Sequence, residues 1–389
     1  MDRPLQVLYL RDTTFVCGPG KTILNTFRTL DTSRYALTLV VPETGPAPNT
    51  FVERADALGI PVLRIEADGV AKVGAVRRLA RLLRERRIDI VQSHDFLTRR
   101  LTVPAAALAG VPHVTSVHGW IANTRKELIS RRIDQALIRR ARHAIVVSGR
   151  LRQQVEQAGM SAARVLLLRN ALLLDDYPEP GDSPEARRKL GVPIDSPVIS
   201  IVGRLSPEKG HQLFLEMARR IVEHVPNACF LIVGHGPLRS RLEAETKTLG
   251  LQQRVFFLGH RTDMHVVYGA TDVLALCSFT EGLPNVVLEA FAHGRPAVVT
   301  RVGGVPEVVT DGVDGFIVEP GHVDALAQGV LTLLTDRALA SAMGASARAT
   351  VAARFDFRRR TRRLESLYDA IVTGRPGPQE SADTGTIDE

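Results

Sequence analysis

Short apolar runs alternate with amphipathic stretches along the chain. In the first half, the apolar runs predict strands at residues 6–10, 36–41, 61–65, 88–92, 113–117, 144–147 and 165–168. Between them, apolar residues recur at spacings of three and four, for example in residues 73–86 and 126–142, and this spacing predicts helices. Such alternation is typical of right-handed βα units around a parallel sheet.

The same pattern restarts after a polar, proline-bearing connector at residues 175–184. Further strands are predicted at residues 198–202, 229–233, 255–258, 273–276, 297–300 and 316–318. A length of 389 residues also fits two domains better than one. We therefore expect α/β domains at 1–174 and 175–354, a C-terminal helix at 355–372, and a disordered tail at 373–389.

Two charged segments in the second half each follow a predicted strand and precede a predicted helix. Arg204 and Lys209 lie in GRLSPEKG, and Glu281 and Glu289 lie in EGLPNVVLE. Open α/β sheets bind ligands at this end of their strands. Two cations near a helix N-terminus suit a diphosphate, and two carboxylates suit the hydroxyl groups of sugars. The sequence therefore predicts a nucleotide-sugar site.

The second of these segments also has a helix-start signal. Pro284 suits the first turn of a helix, where its missing N–H has no cost. The free N–H groups of Asn285 and Val286 would then point toward an anion. Glu289 lies one helical turn after Asn285, on the same face.

Several segments of the second half occur in an order that resembles one known family. From residue 198 to about residue 320 the chain contains, in this order, GRLSPEKG, LIVGHGPLR, VFFLGHRTD, ATDVLALCSFTEGLPNVVLEAFAHGRPAVVT, GGVPEVV and GFIVEPG. This set resembles the family-4 retaining glycosyltransferases. The resemblance implies the GT-B fold, in which two Rossmann-like domains with parallel sheets face each other across a central cleft. It also implies a last helix that crosses back to the first domain.

The resemblance implies roles for single residues. Arg204 and Lys209 would stabilise the leaving nucleoside diphosphate, and Glu281 would support the donor sugar. His118 matches a family histidine that touches that sugar, and it completes the predicted catalytic group. The predicted donor-binding residues are Gly18, Gly20, Gly236, His260, Arg261, Leu283, Asn285, Val286 and Glu289.

Acceptor contacts are predicted at Lys21, His94 and Asn170. Asn170 matches the family's Asn-Gly stretch only in part, because Ala171 replaces the glycine. Residues 18–21, GPGK, replace the Gly-Gly pair and acidic residue of many members, and they are expected to form a glycine turn before a helix. They do not form a P-loop motif, which requires glycine at the position of Phe15.

No metal or other cofactor is expected. The chain has no Asp-x-Asp sequence, which argues against the metal-chelating transferases of the other major fold. The two cations of GRLSPEKG would take the place of Mg²⁺. Backbone groups in the segments around Gly236 and His260 would hold the nucleobase, so UDP, GDP and ADP donors all remain open.

The charge is distributed unevenly between the halves. Residues 1–190 hold 30 basic and 19 acidic residues, or +11, whereas residues 191–389 hold 20 and 23, or −3. This asymmetry indicates an anionic partner for the first half. A lipid-linked phosphate or an anionic membrane surface fits, and six arginines cluster at residues 77–87. Nucleic acid is not expected, because aromatic residues make up only 5% of the chain.

Together with these observations, the resemblance implies a retaining, metal-independent glycosyltransferase. It would move a hexosyl or other sugar from a nucleotide donor to a glycan or lipid-linked acceptor in bacterial polysaccharide or glycolipid assembly. No signal peptide or membrane span is recognised. A cytoplasmic enzyme, peripheral at the inner face of the membrane, is therefore expected. A nucleotide-sugar epimerase of the same fold and a non-catalytic nucleotide-sugar-binding subunit are the alternatives.

Overall fold

The computed structural model describes residues 3–43, 49–66, 73–120, 125–177, 184–375 and 378. The chain forms two units: the first unit contains Met1–Asn170 and Phe357–Glu389, and the second unit contains Ala171–Asp356. The division falls four residues before the predicted boundary at 174. Leu172 accounts for this difference, because it pairs with Asp356 and donates its N–H to the carbonyl of Phe355 at 2.9 Å.

The first unit contains a parallel sheet of seven strands. Their order in the sheet is β3-β2-β1-β4-β5-β6-β7. The strands are β1 (Leu5–Leu10), β2 (Tyr35–Glu43), β3 (Val62–Glu66), β4 (Ile90–Ser93), β5 (His113–Val117), β6 (His143–Val146) and β7 (Val165–Leu167). The helices between them are α1 (Gly18–Thr29), α2 (Thr50–Ala57), α3 (Val73–Glu85), α4 (Phe96–Ala109), α5 (Arg125–Arg140) and α6 (Gly149–Gln157).

The second unit contains a parallel sheet of six strands, in the order β10-β9-β8-β11-β12-β13. The strands are β8 (Val198–Val202), β9 (Cys229–Val233), β10 (Val255–Gly259), β11 (Val273–Leu276), β12 (Ala297–Thr300) and β13 (Gly315–Val318). The helices are α7 (Pro184–Leu190), α8 (His211–His224), α9 (Arg239–Thr248), α10 (Met264–Ala270), α11 (Asn285–Ala292), α12 (Val323–Thr335) and α13 (Arg337–Arg354). The predicted class, two Rossmann-like α/β domains with parallel sheets, is confirmed.

Burial explains why the strands are so apolar. Every residue of β9 is buried, as is every residue of β5 and β11. Parallel strands covered by helices on both faces have no solvent side and need no polar alternation. The apolar runs in the sequence are therefore the cores of the two sheets.

The last helix, α14 (Phe357–Thr373), belongs to the first unit. Its buried Tyr368 hydroxyl lies 2.6 Å from the hydroxyl of Tyr9 in β1 and donates to Oε1 of Gln92 in β4 at 2.6 Å. Near the other end of the helix, the hydroxyls of Thr361 and Thr29 are 2.7 Å apart. The first unit is thus assembled from two separate stretches of sequence. Most of the predicted tail at 373–389, and residues 178–183 of the predicted connector at 175–184, lie outside the described residues.

Each sheet has a point where the strand order reverses. In the first unit this point lies between β1 and β4, and in the second unit it lies between β8 and β11. The connections that leave two adjacent strands here run to opposite sides of the sheet, and the crevice between them is where open α/β sheets bind ligands.

Candidate functional site

The reversal point of the second sheet brings Lys209 and Glu281 together. Lys209 follows β8 and Glu281 follows β11. The Lys209 ammonium donates to Oε1 of Glu281 at 2.7 Å, and the Ser278 hydroxyl donates to the same oxygen at 2.7 Å. The Glu281 side chain is 8% exposed and that of Lys209 is 25% exposed. A largely buried carboxylate is thus neutralised by a cation that solvent still reaches.

Arg204 lies in the same loop as Lys209 but has a different partner. Its guanidinium donates to Oε1 of Glu208 at 2.6 Å and to the Ser206 hydroxyl at 3.2 Å. Ser206 also donates to Glu208 at 2.7 Å. Burial raises the pKa of Glu208, but the hydrogen bonds from Ser206 and Arg204 outweigh it, so the pKa lies below its usual value. Glu208 is therefore an anion that holds Arg204, whose side chain remains 56% exposed.

Close backbone contacts fix these loops against one another. Gly210 has φ +66°, and a Cβ there would lie 2.0 Å from the carbonyl oxygen of Cys277. Gly303 has φ +56°, and its Cβ would lie 1.9 Å from the carbonyl oxygen of Glu281. Any other residue would push the loop after β11 away at both places. The two glycines therefore set the backbone position of Glu281.

Helix α11 begins at Asn285, one residue after the proline that was predicted for its first turn. Pro284 is its N-cap, so the N–H groups of Asn285 and Val286 belong to the first turn. Oδ1 of Asn285 is buried and has no hydrogen-bond partner among the described residues. These groups leave donors and an acceptor at the helix start, beside the loop that carries Glu281.

Glu289 lies in the middle of α11 and is buried. Its Oε2 accepts a hydrogen bond from the Tyr268 hydroxyl at 2.9 Å. Burial, together with the Glu289 carboxylate, raises the pKa of Tyr268 well above its usual value, so Tyr268 stays protonated and donates. The ring of His293 packs at 5.2 Å from Tyr268 and 5.4 Å from Tyr177. Glu289 thus lies in an aromatic environment that the sequence did not predict.

The other predicted donor-site residues of the second unit lie on neighbouring loops. A Cβ at Gly236 would lie 2.4 Å from the Leu205 carbonyl, so the loop after β9 packs on the loop after β8. His260 is exposed after β10. Arg261 makes a two-point ion pair with Asp263, at 2.9 and 2.5 Å. Leu283 is buried.

The reversal point of the first sheet brings His94 and His118 together. Their rings are stacked, with centroids 6.3 Å apart, and the Tyr9 ring lies 4.7 Å from that of His94. Burial, with a further contribution from nearby arginines, lowers the pKa of His118 to about 3 and that of His94 well below its usual value. Both imidazoles are therefore neutral at physiological pH.

Residues 18–21 do not form the predicted glycine turn, so that prediction is wrong. Helix α1 begins at Gly18 itself, with Cys17 as its N-cap, so Gly18, Gly20 and Lys21 are helical. Gly20 faces the ring of Phe51, where a Cβ would lie at 3.4 Å. This glycine therefore allows close packing of α2 rather than an unusual backbone angle. Asn170 is buried after β7.

Several residues with site contacts were not predicted. Ser278 and Glu208 hold Glu281 and Arg204, and Arg11 and Arg360 flank the two histidines of the first unit. Arg11 could have been found, because it directly follows β1 at the reversal point. Arg360 could not, because its place depends on α14 packing on the first unit.

Two family models match the chain. "Glycosyltransferase Family 4" matches residues 16–175 and "Glycosyl transferases group 1" matches residues 182–350. Together they cover most of both units, but neither reaches α14. The chain belongs to the family-4 glycosyltransferases.

Curated relatives agree with the family match. A UDP-Gal:alpha-D-GlcNAc-diphosphoundecaprenol alpha-1,3-galactosyltransferase of Escherichia coli is 26% identical over 381 residues, which cover 95% of this chain and 98% of that protein. A D-inositol 3-phosphate glycosyltransferase of Corynebacterium urealyticum is 30% identical over 321 residues, covering 77% and 75%. The chain is accordingly a glycosyltransferase, as predicted.

Solved structures support the fold. Anabaena HepE, in complex with UDP-glucose, has a TM-score of 0.84 at 23% identity, with 94% of this chain and 100% of HepE covered. Sucrose-phosphate synthase from Thermosynechococcus elongatus has a TM-score of 0.77 at 19% identity, with 95% and 100% covered. At these identities the likeness shows the GT-B type of fold.

Proposed function

We propose that this glycosyltransferase is retaining and metal-independent, and that it moves a sugar from a nucleoside diphosphate to a glycan or lipid-linked acceptor in bacterial polysaccharide or glycolipid assembly. The observation that carries the proposal is the pair Lys209–Glu281 at the reversal point of the second sheet, 2.7 Å apart. The exposed guanidinium of Arg204 lies in the same loop.

This arrangement suits the departure of a nucleoside diphosphate. When the bond between the sugar and the diphosphate breaks, negative charge grows on the diphosphate and positive charge grows on the sugar. Lys209 and Arg204 would stabilise the first, as fixed cations do best in a site with little water. The Glu281 carboxylate would stabilise the second. These cations do the work that a bound divalent metal would otherwise do. Within the described ranges, no three His, Cys, Asp or Glu side chains come together in a way that could hold a metal ion.

The relatives indicate which substrates to test first. The name of the Escherichia coli relative gives UDP-galactose as donor and a diphosphate-linked lipid sugar as acceptor. The Corynebacterium relative is named for an inositol phosphate acceptor. HepE was solved with UDP-glucose. Uridine donors and phosphorylated acceptors are therefore our first choices for this chain. Across the described residues, no helix is both long and apolar enough to cross a membrane.

The test is incubation with UDP-, GDP- and ADP-linked hexoses, with and without EDTA, followed by mass spectrometry and NMR of the products. We expect release of one nucleoside diphosphate, faster with acceptor present, unaffected by EDTA, and giving a product with the anomeric configuration of the donor. A changed sugar still attached to its nucleotide would instead support an epimerase. Binding with no product would support a non-catalytic subunit, and activity abolished by EDTA and restored by Mg²⁺ would contradict metal independence.

A further inference from the structure

Four side chains at the reversal point of the first sheet form a cluster with unused hydrogen-bonding atoms. We call Arg11, His94, His118 and Arg360 the Arg11–Arg360 cluster. The buried atoms without partners among the described residues are Nε of Arg11, both ring nitrogens of His94, Nε2 of His118 and Nη1 of Arg360. Buried polar atoms are nearly always hydrogen-bonded in folded proteins. Five exceptions in one place indicate a site that binds something.

In the absence of a ligand, the burial of these side chains lowers the stability of the folded protein. His94 is 4% exposed and Arg360 is 8% exposed. Arg360 donates to the Arg169 carbonyl at 3.2 Å and packs over the Phe357 ring. Among the described residues, no carboxylate forms a salt bridge with it. Burial lowers its pKa to about 10, so it remains a cation at neutral pH. A buried cation without an anion is destabilising unless a ligand provides the anion.

The acidic groups near Arg11 offset the charge of Arg11 but form no salt bridge with Arg360 among the described residues. Asp95 lies 3.6 Å from the Arg11 guanidinium. However, the Asp95 carboxylate also caps α4, where it accepts from the Thr98 N–H at 2.7 Å, and it accepts from the Asp12 N–H at 3.0 Å. Asp95 therefore holds two backbone segments in addition to its ion pair with Arg11.

The chemistry of the cluster defines its ligand. Guanidinium groups donate several hydrogen bonds in a plane and match the oxygens of phosphate. A neutral imidazole has one donor and one acceptor nitrogen, which match a hydroxyl group. Two guanidiniums beside two neutral imidazoles thus fit a phosphate attached to a hydroxyl-bearing molecule. This places His118 at that molecule instead of at the donor sugar that the family resemblance implies.

We propose that the Arg11–Arg360 cluster binds the phosphate group of a phosphorylated sugar or polyol acceptor. This inference rests on the proposed function and goes beyond it by naming the acceptor class and the residues that select it. The phosphate could belong to a monoester or to the diphosphate of a lipid carrier. Both relatives described above are named for phosphate-bearing acceptors, which agrees with a phosphate on the acceptor.

The test measures anion binding without turnover. In a Lys209→Met background, which removes a cation of the second unit, titration calorimetry follows binding of inorganic phosphate and of inorganic pyrophosphate. We expect one binding event that adding Arg360→Met weakens at least about tenfold, since a charge-assisted hydrogen bond contributes that much. Arg362→Met is the matched control, because it removes an exposed arginine of the same helix, and it should leave binding unchanged. Tighter binding of phosphate indicates a monoester, and tighter binding of pyrophosphate indicates a lipid diphosphate.

Two further measurements keep the test decisive. Without added anion, the Lys209→Met protein that also carries Arg360→Met should unfold at the same temperature as Lys209→Met alone, or at a higher one, because it loses a buried cation. Arg11→Met provides a second variant, which should also weaken anion binding. If neither anion binds in the Lys209→Met background, the cluster holds water only and the inference is wrong. It is equally wrong if Arg362→Met weakens binding as much as Arg360→Met does. If the protein transfers no sugar but still binds anions in a way that depends on Arg360, the proposed function is wrong and the anion site is supported.

Discussion

Replacing Lys209 by methionine removes the cation beside Glu281 while keeping a side chain of similar length. Two effects should follow, one on turnover and one on stability. They have different origins, and a second substitution at Glu281 separates them.

The effect on turnover comes from the leaving diphosphate. Removing one group that stabilises charge in a transition state typically lowers turnover by about 10²-fold to 10³-fold. We expect a loss on the order of 10²-fold in Lys209→Met. The matched control is Lys247→Met, which changes an exposed lysine of α9 and should retain full activity.

The effect on stability comes from Glu281. Its side chain is 8% exposed, and without Lys209 its Oε1 keeps the Ser278 hydroxyl at 2.7 Å. Breaking a fully buried ion pair costs about 3–5 kcal/mol. Because Lys209 is 25% exposed, solvent screens part of the ion-pair energy. We therefore expect Lys209→Met to lower the free energy of unfolding by about 1–3 kcal/mol. Adding Glu281→Gln removes the unpaired charge and should recover most of that stability without restoring turnover.

Urea unfolding and steady-state release of nucleoside diphosphate measure the two effects on the same four proteins. Turnover of Lys209→Met near the parent rate would contradict a role of Lys209 in stabilising the leaving diphosphate. A double variant no more stable than Lys209→Met would show that the loss of stability comes from something other than the isolated Glu281 carboxylate.

Two further predictions concern the first unit. Its stability should fall as the pH decreases from about 6.5 toward 3, because His113 and His118 have pKa values lowered to about 3 and stay neutral when folded, whereas the unfolded chain takes up protons near pH 6.5. Each histidine contributes a slope of about 1.4 kcal/mol per pH unit. Urea unfolding can be followed by the fluorescence of Trp120, the single tryptophan. The free energy of unfolding should depend more steeply on pH in the parent than in His113→Gln, and equal slopes would refute this. Separately, the exposed arginines of α3 should bind phosphatidylglycerol vesicles at low salt, and changing Arg77 and Arg81 to Gln should weaken co-sedimentation by roughly 30-fold, at about 1 kcal/mol each. Equal binding to phosphatidylcholine vesicles would contradict this.

The strands were predictable because a parallel sheet covered on both faces requires continuous apolar runs, and both sheets have them. The ends of these strands then located Lys209 and Glu281 in loops at one edge of the same sheet. The start of α11 was predictable as well, since Pro284 restricts the backbone there.

Other features depend on contacts that sequence patterns do not contain. Gly20 packs against Phe51 from within α1, and a local glycine pattern does not reveal this contact. The Glu289–Tyr268 hydrogen bond joins two helices at a spacing of 21 residues. Arg360 lies on a helix that is rich in arginine, and only the packing of Tyr368 against Tyr9 shows which of these arginines is buried.

The discontinuity of the first unit has a consequence for synthesis of the chain. The second unit is one uninterrupted stretch, Ala171–Asp356, and can complete its core as soon as it has left the ribosome. The first unit begins earlier but lacks α14 until translation has passed Thr373. Until then, the surfaces of Tyr9 and Thr29 that α14 covers remain open. Although domains usually fold in the order of their synthesis, the order of completion in this protein is therefore the reverse of the order in which the two units start.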